Sequence, residues 1–580
     1  MKSTQRFFRL LALDKKDITY IYLYAVFSGL ITLSLPLGTQ AIIGLLVGGA
    51  NSSALYLLIG VIAIGTTLTG ILKVMQLTVT ETLQRRIFSR ASFEFAWRIP
   101  RLKLANLSNE YPPELVNRFF DTLTIQKGIP KILIDFSTAV LEIFFGLVLL
   151  ALYHPLFIFF GLVLFLILIV IFTITGPKGL KTSLVESKYK YKVAYWLEEL
   201  GRSVKMFKLS SGSTLPIDRA DYLVSNYLDA RKSHFKILLT QYGAVVLFKL
   251  IITTALLVIG SQLVITNQIS IGQFVAAEII IILILGSSEK LILAMETIYD
   301  VLTGLEKIGQ ITDLPLESDQ GVNFNEINSE SGVRVELENV SFKYADASHP
   351  IVSNINLNIN TGERICVAGY NGAGKGTLIQ LIAGLYDTYE GIVAYNDIPL
   401  RSLNLETMRE RIGSFLSSNA IFNGTIIENI SLGHENIDLK TIIAVAKSLF
   451  LHEYVNSLPN GYQTMLLAEG MNVPRSVRVK IILARNTIFN PCLLVMENLL
   501  TFIEKAERDQ IINFLTDRSK NWTLVAISDD PVFAKKCDRV VIMKEGKIVE
   551  DGNFKDLQNK RHVTEIFKLK EEDRYAAMLS

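Results

Sequence analysis

Cysteine is scarce in this 580-residue sequence, which contains only Cys366, Cys492 and Cys537. Three cysteines exclude a disulfide scaffold, and their spacing matches no zinc site. Each lies in or beside an apolar stretch, which predicts buried, reduced thiols. Charged residues are also few, at 19% of the chain, whereas average soluble domains have roughly 25%. The net charge of +3 is too small to indicate a nucleic-acid partner.

Half of the residues are hydrophobic, and the excess lies in long apolar runs of the N-terminal half. Six runs reach the roughly 20 residues that cross a bilayer core. The predicted spans are 18–42, 56–80, 132–152, 155–176, 237–263 and 272–295. An integral membrane protein surrounded by lipid is therefore expected, rather than a soluble enzyme.

Basic residues are distributed very unevenly among the segments that connect these spans. The N-terminus carries five Lys or Arg residues, segment 81–131 carries nine and segment 177–236 carries twelve, whereas 43–55, 153–155 and 264–271 carry none. Because cytoplasmic loops are enriched in Lys and Arg, both termini and both long loops are predicted to be cytoplasmic.

Three ionisable residues, Glu142, Lys249 and Glu278, fall within the predicted spans. At 1.5 Å of rise per residue, Glu142 and Lys249 lie at depths similar enough to pair, whereas Glu278 is less well placed. Intramembrane charges usually face protein or water. These residues therefore predict either a polar lining of a substrate path or a structural ion pair.

The amino-acid composition changes near residues 311–332. This stretch is polar and contains Gly and Ser, which is typical of a linker. Beyond it, short β-branched runs alternate with helical patterns, which indicates an α/β domain. We therefore predict an all-α six-span transmembrane domain over 1–310, a linker over 311–332 and an α/β P-loop nucleotide-binding domain over 333–580.

A glycine-rich loop supports this assignment. The apolar pattern 365–368 predicts a strand, which leads into Gly-Tyr-Asn-Gly-Ala-Gly-Lys-Gly-Thr at 369–377 and then a helical pattern through Leu385. Strand, loop and helix in this order form the context of a phosphate-binding P-loop. The backbone N–H groups of such a loop surround phosphate oxygens, and Lys375 is expected to reach the β- and γ-phosphates.

Six spans followed by this loop resemble an ABC exporter in the half-transporter layout. The segments 340–344 (Val-Ser-Phe-Lys-Tyr), 424–430 and 538–552 look like conserved segments of its nucleotide-binding domain, and 113–118 (Pro-Glu-Leu-Val-Asn-Arg) looks like a coupling loop of toxin and bacteriocin exporters. The resemblance implies that Tyr344 stacks on adenine and that the cofactors are ATP and Mg²⁺. It also implies the following nucleotide-binding positions: Gly369, Asn371, Gly372, Ala373, Gly374, Lys375, Gly376, Thr377, Ser417, Arg475 and Ser476.

Several positions depart from the family pattern. The family has Ser or Thr after the P-loop lysine to bind Mg²⁺, but here the residue is Gly376. Glu497 replaces the Mg²⁺-binding Asp, which predicts that the metal is only weakly held. Asn498 replaces the general base, and an amide cannot take a proton from water near neutral pH. Asp529 replaces the switch histidine, and the shorter Ser417 replaces the Q-loop glutamine.

In the family, the signature segment of one subunit completes the nucleotide site of the opposite subunit. Here this segment is Val-Pro-Arg-Ser-Val at 473–477 instead of Leu-Ser-Gly-Gly-Gln. Pro474 removes a backbone donor together with the serine hydroxyl. Arg475 fills space that glycine leaves open, although an arginine can itself pair with phosphate.

The resulting hypothesis is an ABC exporter subunit that binds ATP but hydrolyses it weakly, as a homodimer or a heterodimer with a second half-transporter. The alternative is a non-hydrolysing membrane scaffold or regulatory subunit of an envelope secretion assembly. Resemblance to toxin exporters implies the bacterial inner membrane, a periplasmic adaptor and an outer-membrane channel as partners. The cargo stays open.

Overall fold

The computed structural model describes residues 2–48, 53–107, 112–210, 212–327, 332–416 and 420–568. The chain divides into two compact units. One contains residues 1–100 and 110–314, and the other contains residues 101–109 and 315–580. Each unit is described separately below.

The described part of the first unit is helical. Its helices are α1 (Ser3–Leu13), α2 (Lys15–Thr32), α3 (Ser34–Val47), α4 (Ser53–Arg98), α5 (Pro112–Asn117), α6 (Asp121–Tyr153), α7 (Leu156–Arg202), α8 (Val204–Leu209), α9 (Leu215–Ile265) and α10 (Ile271–Thr312).

Within the described residues, six helical segments are long and apolar enough to cross a membrane, which confirms the expected six-helix transmembrane architecture. They are Lys15–Val47, Ser53–Arg101, Pro112–Tyr153, Leu156–Arg202, Leu215–Ile265 and Ile271–Thr312. Five of them extend well beyond the apolar runs, because the polar residues that precede or follow the spans belong to the same helices.

The first of these segments is interrupted where α2 ends at Thr32 and α3 begins at Ser34. Pro36 lies in the first turn of α3. A proline inside a continuous helix removes one hydrogen bond and clashes with the carbonyl group four residues earlier, here that of Thr32. The helix restarts at Ser34 and so accommodates the ring.

The charged residues of the membrane unit pair differently from the prediction. Lys290 Nζ lies 3.6 Å from Glu142 Oε2, whereas Lys249 Nζ lies 3.8 Å from Glu289 Oε2. The expected pairing of Glu142 with Lys249 is therefore wrong. The reason is that α6, which carries Glu142, packs along α10, which carries both Glu289 and Lys290. Within the described residues, no basic group lies within ion-pair distance of Glu278.

The second unit contains a mostly parallel six-stranded sheet in the order β12-β11-β3-β10-β9-β6, a four-stranded antiparallel sheet in the order β2-β1-β4-β5 and the pair β7-β8. The strands are β1 (Val335–Phe342), β2 (Val352–Ile359), β3 (Arg364–Gly369), β4 (Glu390–Tyr395), β5 (Ile398–Pro399), β6 (Ile412–Phe415), β7 (Gly424–Thr425), β8 (Met465–Leu466), β9 (Leu493–Glu497), β10 (Thr523–Ile527), β11 (Arg539–Lys544) and β12 (Lys547–Gly552).

Helices cover this sheet and fill the connections between its parallel strands. They are α11 (Phe324–Ile327), α12 (Lys375–Ile382), α13 (Leu405–Arg409), α14 (Ile426–Ser431), α15 (Leu439–Ser448), α16 (His452–Ser457), α17 (Arg475–Thr487), α18 (Lys505–Thr516), α19 (Pro531–Lys536), α20 (Phe554–Leu557) and α21 (Arg561–Phe567). The α/β fold predicted for this half is confirmed.

The core of the second unit lies on both faces of the parallel strands, because β3, β9 and β10 are buried almost throughout. All three cysteines are buried and free, as predicted. The helix after the glycine loop ends at Ile382 rather than at Leu385, since Gly384 adopts a positive φ of 67° and turns the chain away.

Candidate functional site

The candidate site lies at the carboxyl ends of three neighbouring parallel strands. Strand β10 lies between β3 and β9, and these strands end at Gly369, Ile527 and Glu497. Ligands of open α/β sheets bind outside this edge. The sheet order therefore brings together the glycine loop, the pair Glu497 and Asn498, and Asp529, which are far apart in the sequence.

Glycine is required at two points of the loop by the surrounding backbone. Gly369 has φ 153° and Gly374 has φ 87°. A β-carbon would lie 2.2 Å from the Met543 carbonyl oxygen at the first position and 2.7 Å from the Ile351 carbonyl oxygen at the second. Helix α12 begins at once after Gly374, so its first unpaired N–H groups point towards the loop.

Lys375 is the first residue of α12, and its ammonium group lies over the glycine loop. Nζ donates hydrogen bonds to the carbonyl oxygens of Gly369 at 2.7 Å and Tyr370 at 2.8 Å. Burial lowers the pKa of Lys375, while the nearby carboxylates of Asp529 and Glu497 act in the opposite direction. These two carboxylates and Lys375 thus form one electrostatic group.

The donors expected for Mg²⁺ are incomplete. A β-carbon on Gly376 would lie 3.0 Å from Glu497 Oε1, so this carboxylate occupies the space beside the loop where the family has a hydroxyl group. The Thr377 hydroxyl is buried and lies 3.2 Å from the Tyr344 hydroxyl. The described residues contain no cluster of three or more metal-ligating side chains. Gly376 itself has no side-chain oxygen at the position where this type of loop supplies a hydroxyl group to Mg²⁺.

Asn498 follows β9 directly and is exposed in the left-handed conformation, with φ 50° and ψ 30°. Its backbone N–H donates to the Ile527 carbonyl oxygen at 3.1 Å, which holds it against the neighbouring strand β10. Asparagine tolerates this conformation better than most residues. The structure therefore places an amide at the mouth of the site.

Asp529 is exposed just beyond β10, whereas the next residue, Asp530, is buried. The Asp530 carboxylate accepts hydrogen bonds from the N–H groups of Val532 and Phe533 and caps α19. It also lies 3.2 Å from Arg508. Asp530 is therefore structural, and Asp529 is the acidic residue that faces the Lys375 group.

Tyr344 belongs to a small aromatic cluster at the edge of the antiparallel sheet. Its half-buried ring stands edge-on to Phe342, with centroids 4.9 Å apart, and to Tyr386, with centroids 5.8 Å apart. Its hydroxyl lies 3.2 Å from Thr377 Oγ1. The aromatic cluster is therefore linked directly to the first turn of α12.

The segment 473–477 forms the beginning of α17. Pro474 precedes the helix and Arg475 is its first residue. The Arg475 guanidinium lies 3.7 Å from the centroid of the Phe502 ring, while Ser476 is half-buried. The arginine thus has a cation–π partner within its own unit.

A pocket of about 530 Å³ lies between α17 and the end of β9. Three of its polar and aromatic wall residues, Glu469, Arg478 and Phe502, were not singled out from the sequence, because they belong to none of its motifs. These walls are formed by Glu469, Arg475, Arg478, Glu497, Asn498 and Phe502.

The remaining predicted positions are placed as follows. Asn371 and Gly372 are exposed at the tip of the glycine loop, and Ala373 is buried beneath it. Ser417 lies outside the described residues. Lys375, Glu497 and Asp529 form the electrostatic group, whereas Arg475 and Ser476 lie on α17.

Two family descriptions match the chain. The description "ABC transporter transmembrane region" matches residues 18–288, and "ABC transporter" matches residues 352–498. The two matches cover most of the membrane unit and the part of the second unit from β2 to the end of β9.

Curated relatives include bacterial translocation and flippase proteins. The chain is 28% identical over 302 residues to the alpha-hemolysin translocation ATP-binding protein HlyB of Escherichia coli, which covers 52% of this chain and 42% of HlyB. It is 30% identical over 262 residues to the ATP-dependent lipid A-core flippase of Saccharophagus degradans, covering 45% of this chain and 44% of the flippase. The chain thus matches less than half the length of these relatives.

A solved structure of a bacterial Atm1-family ABC exporter with ATP bound superposes with a TM-score of 0.83. The superposition covers 96% of this chain and 98% of the exporter chain, at 18% sequence identity. At this identity, the likeness establishes the fold.

Proposed function

Because the chain belongs to the ABC transporter family and is built as an exporter half-transporter, we propose that it is an export subunit that binds ATP but hydrolyses it weakly. The observation that carries this proposal is the amide of Asn498 directly after β9, in a chain whose glycine loop keeps Lys375 and its positive-φ glycines. The transported cargo is left open.

ATP binding is supported by the geometry of the loop. Its positive-φ glycines and the first turn of α12 present backbone N–H groups to an anion. Lys375 supplies a positive charge within reach of the same loop, and the Tyr344 ring offers a stacking surface for adenine. Mg²⁺ adds little to binding in this proposal, because Gly376 provides no hydroxyl group.

Weak hydrolysis follows from the acid–base chemistry of two positions. A general base contributes roughly 10²- to 10⁴-fold to such a reaction, and the Asn498 amide cannot accept a proton near neutral pH. Asp529 adds a negative charge close to Lys375, where it would repel the terminal phosphate rather than hydrogen-bond to it. Both effects slow turnover more than they weaken binding of the nucleotide.

The proposed partner is a second half-transporter, either another copy of this chain or a paralogue. In the family, the segment corresponding to 473–477 contacts nucleotide held by the opposite subunit, and here Arg475 is the residue that offers a charge to it. A periplasmic adaptor and an outer-membrane channel are proposed as further partners, on the basis of the toxin-exporting relatives.

The proposed location is the bacterial inner membrane, with both termini in the cytoplasm. The distribution of Lys and Arg residues supports this orientation. The native cysteines are buried, so Gln268→Cys and Ser213→Cys variants provide reporters at exposed sites. In spheroplasts with an intact inner membrane, a membrane-impermeant thiol reagent should label Gln268→Cys and should not label Ser213→Cys. The reverse labelling pattern would contradict the orientation.

The function is tested by measuring ATP binding and ATP hydrolysis of the purified full chain. We expect binding with negligible turnover, and loss of binding in Lys375→Ala. Turnover at ordinary exporter rates by the wild-type chain would overturn the proposal. In that event, Glu469→Gln and Glu497→Gln would show whether either carboxylate of the 530 Å³ pocket acts as the base.

Addition of a candidate paralogue distinguishes the two kinds of dimer. Hydrolysis that appears only in the mixture supports a heterodimer in which the partner supplies the active residues. Absence of ATP binding by the wild-type chain would instead favour the membrane scaffold.

A further inference from the structure

A second concave site lies within the membrane unit. It is a pocket of about 380 Å³ between α7, α10 and the turn that follows α5. Its size falls within the range of about 300–1,000 Å³ that is usual for small-molecule sites. Four basic residues line it, namely Arg118, Lys188, Lys192 and Lys307, together with the acidic residues Glu114 and Glu306.

The acidic residues do not neutralise this set. Glu306 Oε2 lies 2.8 Å from Arg6 Nη1, which is not part of the pocket wall. Glu114 and Arg118 each have interactions of their own. Among the described residues, Lys188, Lys192 and Lys307 have no carboxylate within ion-pair distance, although the Asp121 and Glu114 carboxylates act electrostatically on Lys307 from farther away. No direct ion pair therefore engages these three ammonium groups.

The nearest acidic side chain outside the wall is also engaged. Asp121 Oδ1 lies 3.2 Å from Lys190 Nζ, and Asp121 Oδ2 accepts a hydrogen bond from the Tyr191 hydroxyl at 2.7 Å. Tyr191 lines the pocket, and Lys307 Nζ lies 5.4 Å from its ring centroid. The ring therefore forms one wall beside the basic groups.

Lys188 and Lys192 lie one helical turn apart on α7, an arrangement that places like charges on one face and disfavours the helix. An anion in the pocket removes this repulsion, because it pairs with both ammonium groups and with Lys307 on the facing helix α10. Lysine acts as a point charge towards phosphate oxygens, which suits a ligand with several anionic oxygens.

The pocket lies too far from the predicted spans to be part of the lipid headgroup layer. Lys188 lies 12 residues beyond residue 176, and Lys307 lies 12 residues beyond residue 295. At 1.5 Å per residue, each is ~18 Å past the apolar run. The headgroup layer is only ~5–8 Å thick on each side, so the pocket opens to water-soluble ligands.

We propose that the pocket bounded by Arg118, Lys188, Lys192 and Lys307 binds a soluble phosphate-bearing anion. The three lysines contact the phosphate oxygens, and Tyr191 packs against the remainder of the ligand. This site is separate from the glycine loop and does not depend on the proposed ATPase properties.

The test measures binding of inorganic pyrophosphate to the full chain by titration calorimetry. All samples carry Lys375→Ala, which removes phosphate binding at the glycine loop. We compare the parent with Lys188→Gln/Lys192→Gln and with Lys178→Gln/Lys181→Gln. The second pair changes the same charge on the same helix, but its residues lie outside the pocket.

We expect the parent and the Lys178/Lys181 variant to bind pyrophosphate alike, and the Lys188/Lys192 variant to bind at least about tenfold more weakly, which corresponds to ~1.4 kcal/mol. Absence of binding by the parent, or equal weakening in both variants, overturns the proposal. An unchanged melting temperature of the Lys188/Lys192 variant shows that it has folded.

Lipid composition separates the two possible sources of phosphate. The titration is repeated in nanodiscs of phosphatidylcholine and in nanodiscs that also contain phosphatidylglycerol. Equal affinity in both supports a soluble ligand. Loss of pyrophosphate binding only in the anionic nanodiscs identifies a headgroup as the occupant and overturns the assignment to a soluble anion.

Discussion

The β-carbon that serine or threonine would add at Gly376 lies 3.0 Å from Oε1 of Glu497. This distance is shorter than an ordinary van der Waals contact. Glu497, whose side chain is longer than aspartate, and Gly376, which has no side chain, are therefore complementary. The two departures from the family pattern are therefore best treated as one change. Glu497 extends by one methylene group into the space that Gly376 leaves open.

This complementarity predicts that Gly376→Ser alone does not restore Mg²⁺-dependent ATP binding, since the new side chain must displace Glu497. The double variant Gly376→Ser/Glu497→Asp supplies a hydroxyl and a shorter carboxylate together. We expect Mg²⁺ to raise ATP affinity at least about tenfold in the double variant, or ~1.4 kcal/mol. Equilibrium binding with and without Mg²⁺ measures this. A wild-type chain with the same Mg²⁺ dependence would contradict the interpretation of Gly376.

Tyr344 is predicted to bind the base rather than the phosphates of ATP. Tyr344→Ala removes the ring and should weaken ATP binding by ~1–3 kcal/mol, the range of stacking between a base and an aromatic side chain. Tripolyphosphate, which has no base, should bind the variant and the wild type alike. Tyr344→Phe is the matched control, because it keeps the ring and loses only the hydroxyl contacts with Thr377 and Gln380. If Tyr344→Ala weakened the binding of ATP and of tripolyphosphate equally, the role of Tyr344 would be structural and would act through α12.

Helices α7 and α10 approach each other closely at Gly179. A β-carbon at this position would lie 2.3 Å from Cζ of Tyr299, whereas one at Gly176, nearly one turn earlier, would meet nothing within 4 Å. Gly179→Ala should destabilise the membrane unit by roughly 1–3 kcal/mol through overpacking, and Gly176→Ala should be neutral or slightly stabilising. Thermal unfolding of the detergent-solubilised chain compares them, and equal melting temperatures would refute the close approach.

The pair Glu142–Lys290 is asymmetric, because the Glu142 side chain is 12% exposed and that of Lys290 is 55% exposed. Lys290→Gln leaves a nearly buried carboxylate without its partner and should therefore be more destabilising than Glu142→Gln. The double variant should recover part of the loss, with a coupling free energy of roughly 1–2 kcal/mol in a double-mutant cycle. The more exposed pair Lys249–Glu289 serves as the control, and its coupling should be smaller. Coupling between Glu142 and Lys249 instead would support the pairing that the sequence suggested.

Much of this architecture could be predicted from local patterns. Apolar run length identified the six long helices, because each must reach across a bilayer on its own residues. The glycine loop was recognisable because its strand, loop and helix are contiguous, and β3 and α12 lie where the pattern predicted them. The helix break before Pro36 also has a local cause, although the run of apolar residues conceals it.

The partners of charged side chains could not be predicted in the same way. Similar depth along the membrane normal suggested that Glu142 and Lys249 form an ion pair, but depth does not specify which helices are neighbours. Packing of α6 along α10 decided that Lys290 is the partner. Glu469 and Phe502 were missed for a similar reason, since they belong to no motif and become significant only beside Asn498.

The sequence by itself determined the division into an apolar helical half and an α/β half, the glycine-rich loop between a strand and a helix, and the amide of Asn498 next to Glu497. Each of these depends on residues that are adjacent in the chain or on the chemistry of one side chain. Only the tertiary structure decided that Glu497 fills the space beside Gly376 and that Lys188, Lys192 and Lys307 share one pocket. Those relationships depend on strand order and helix packing, which bring together residues more than 100 positions apart.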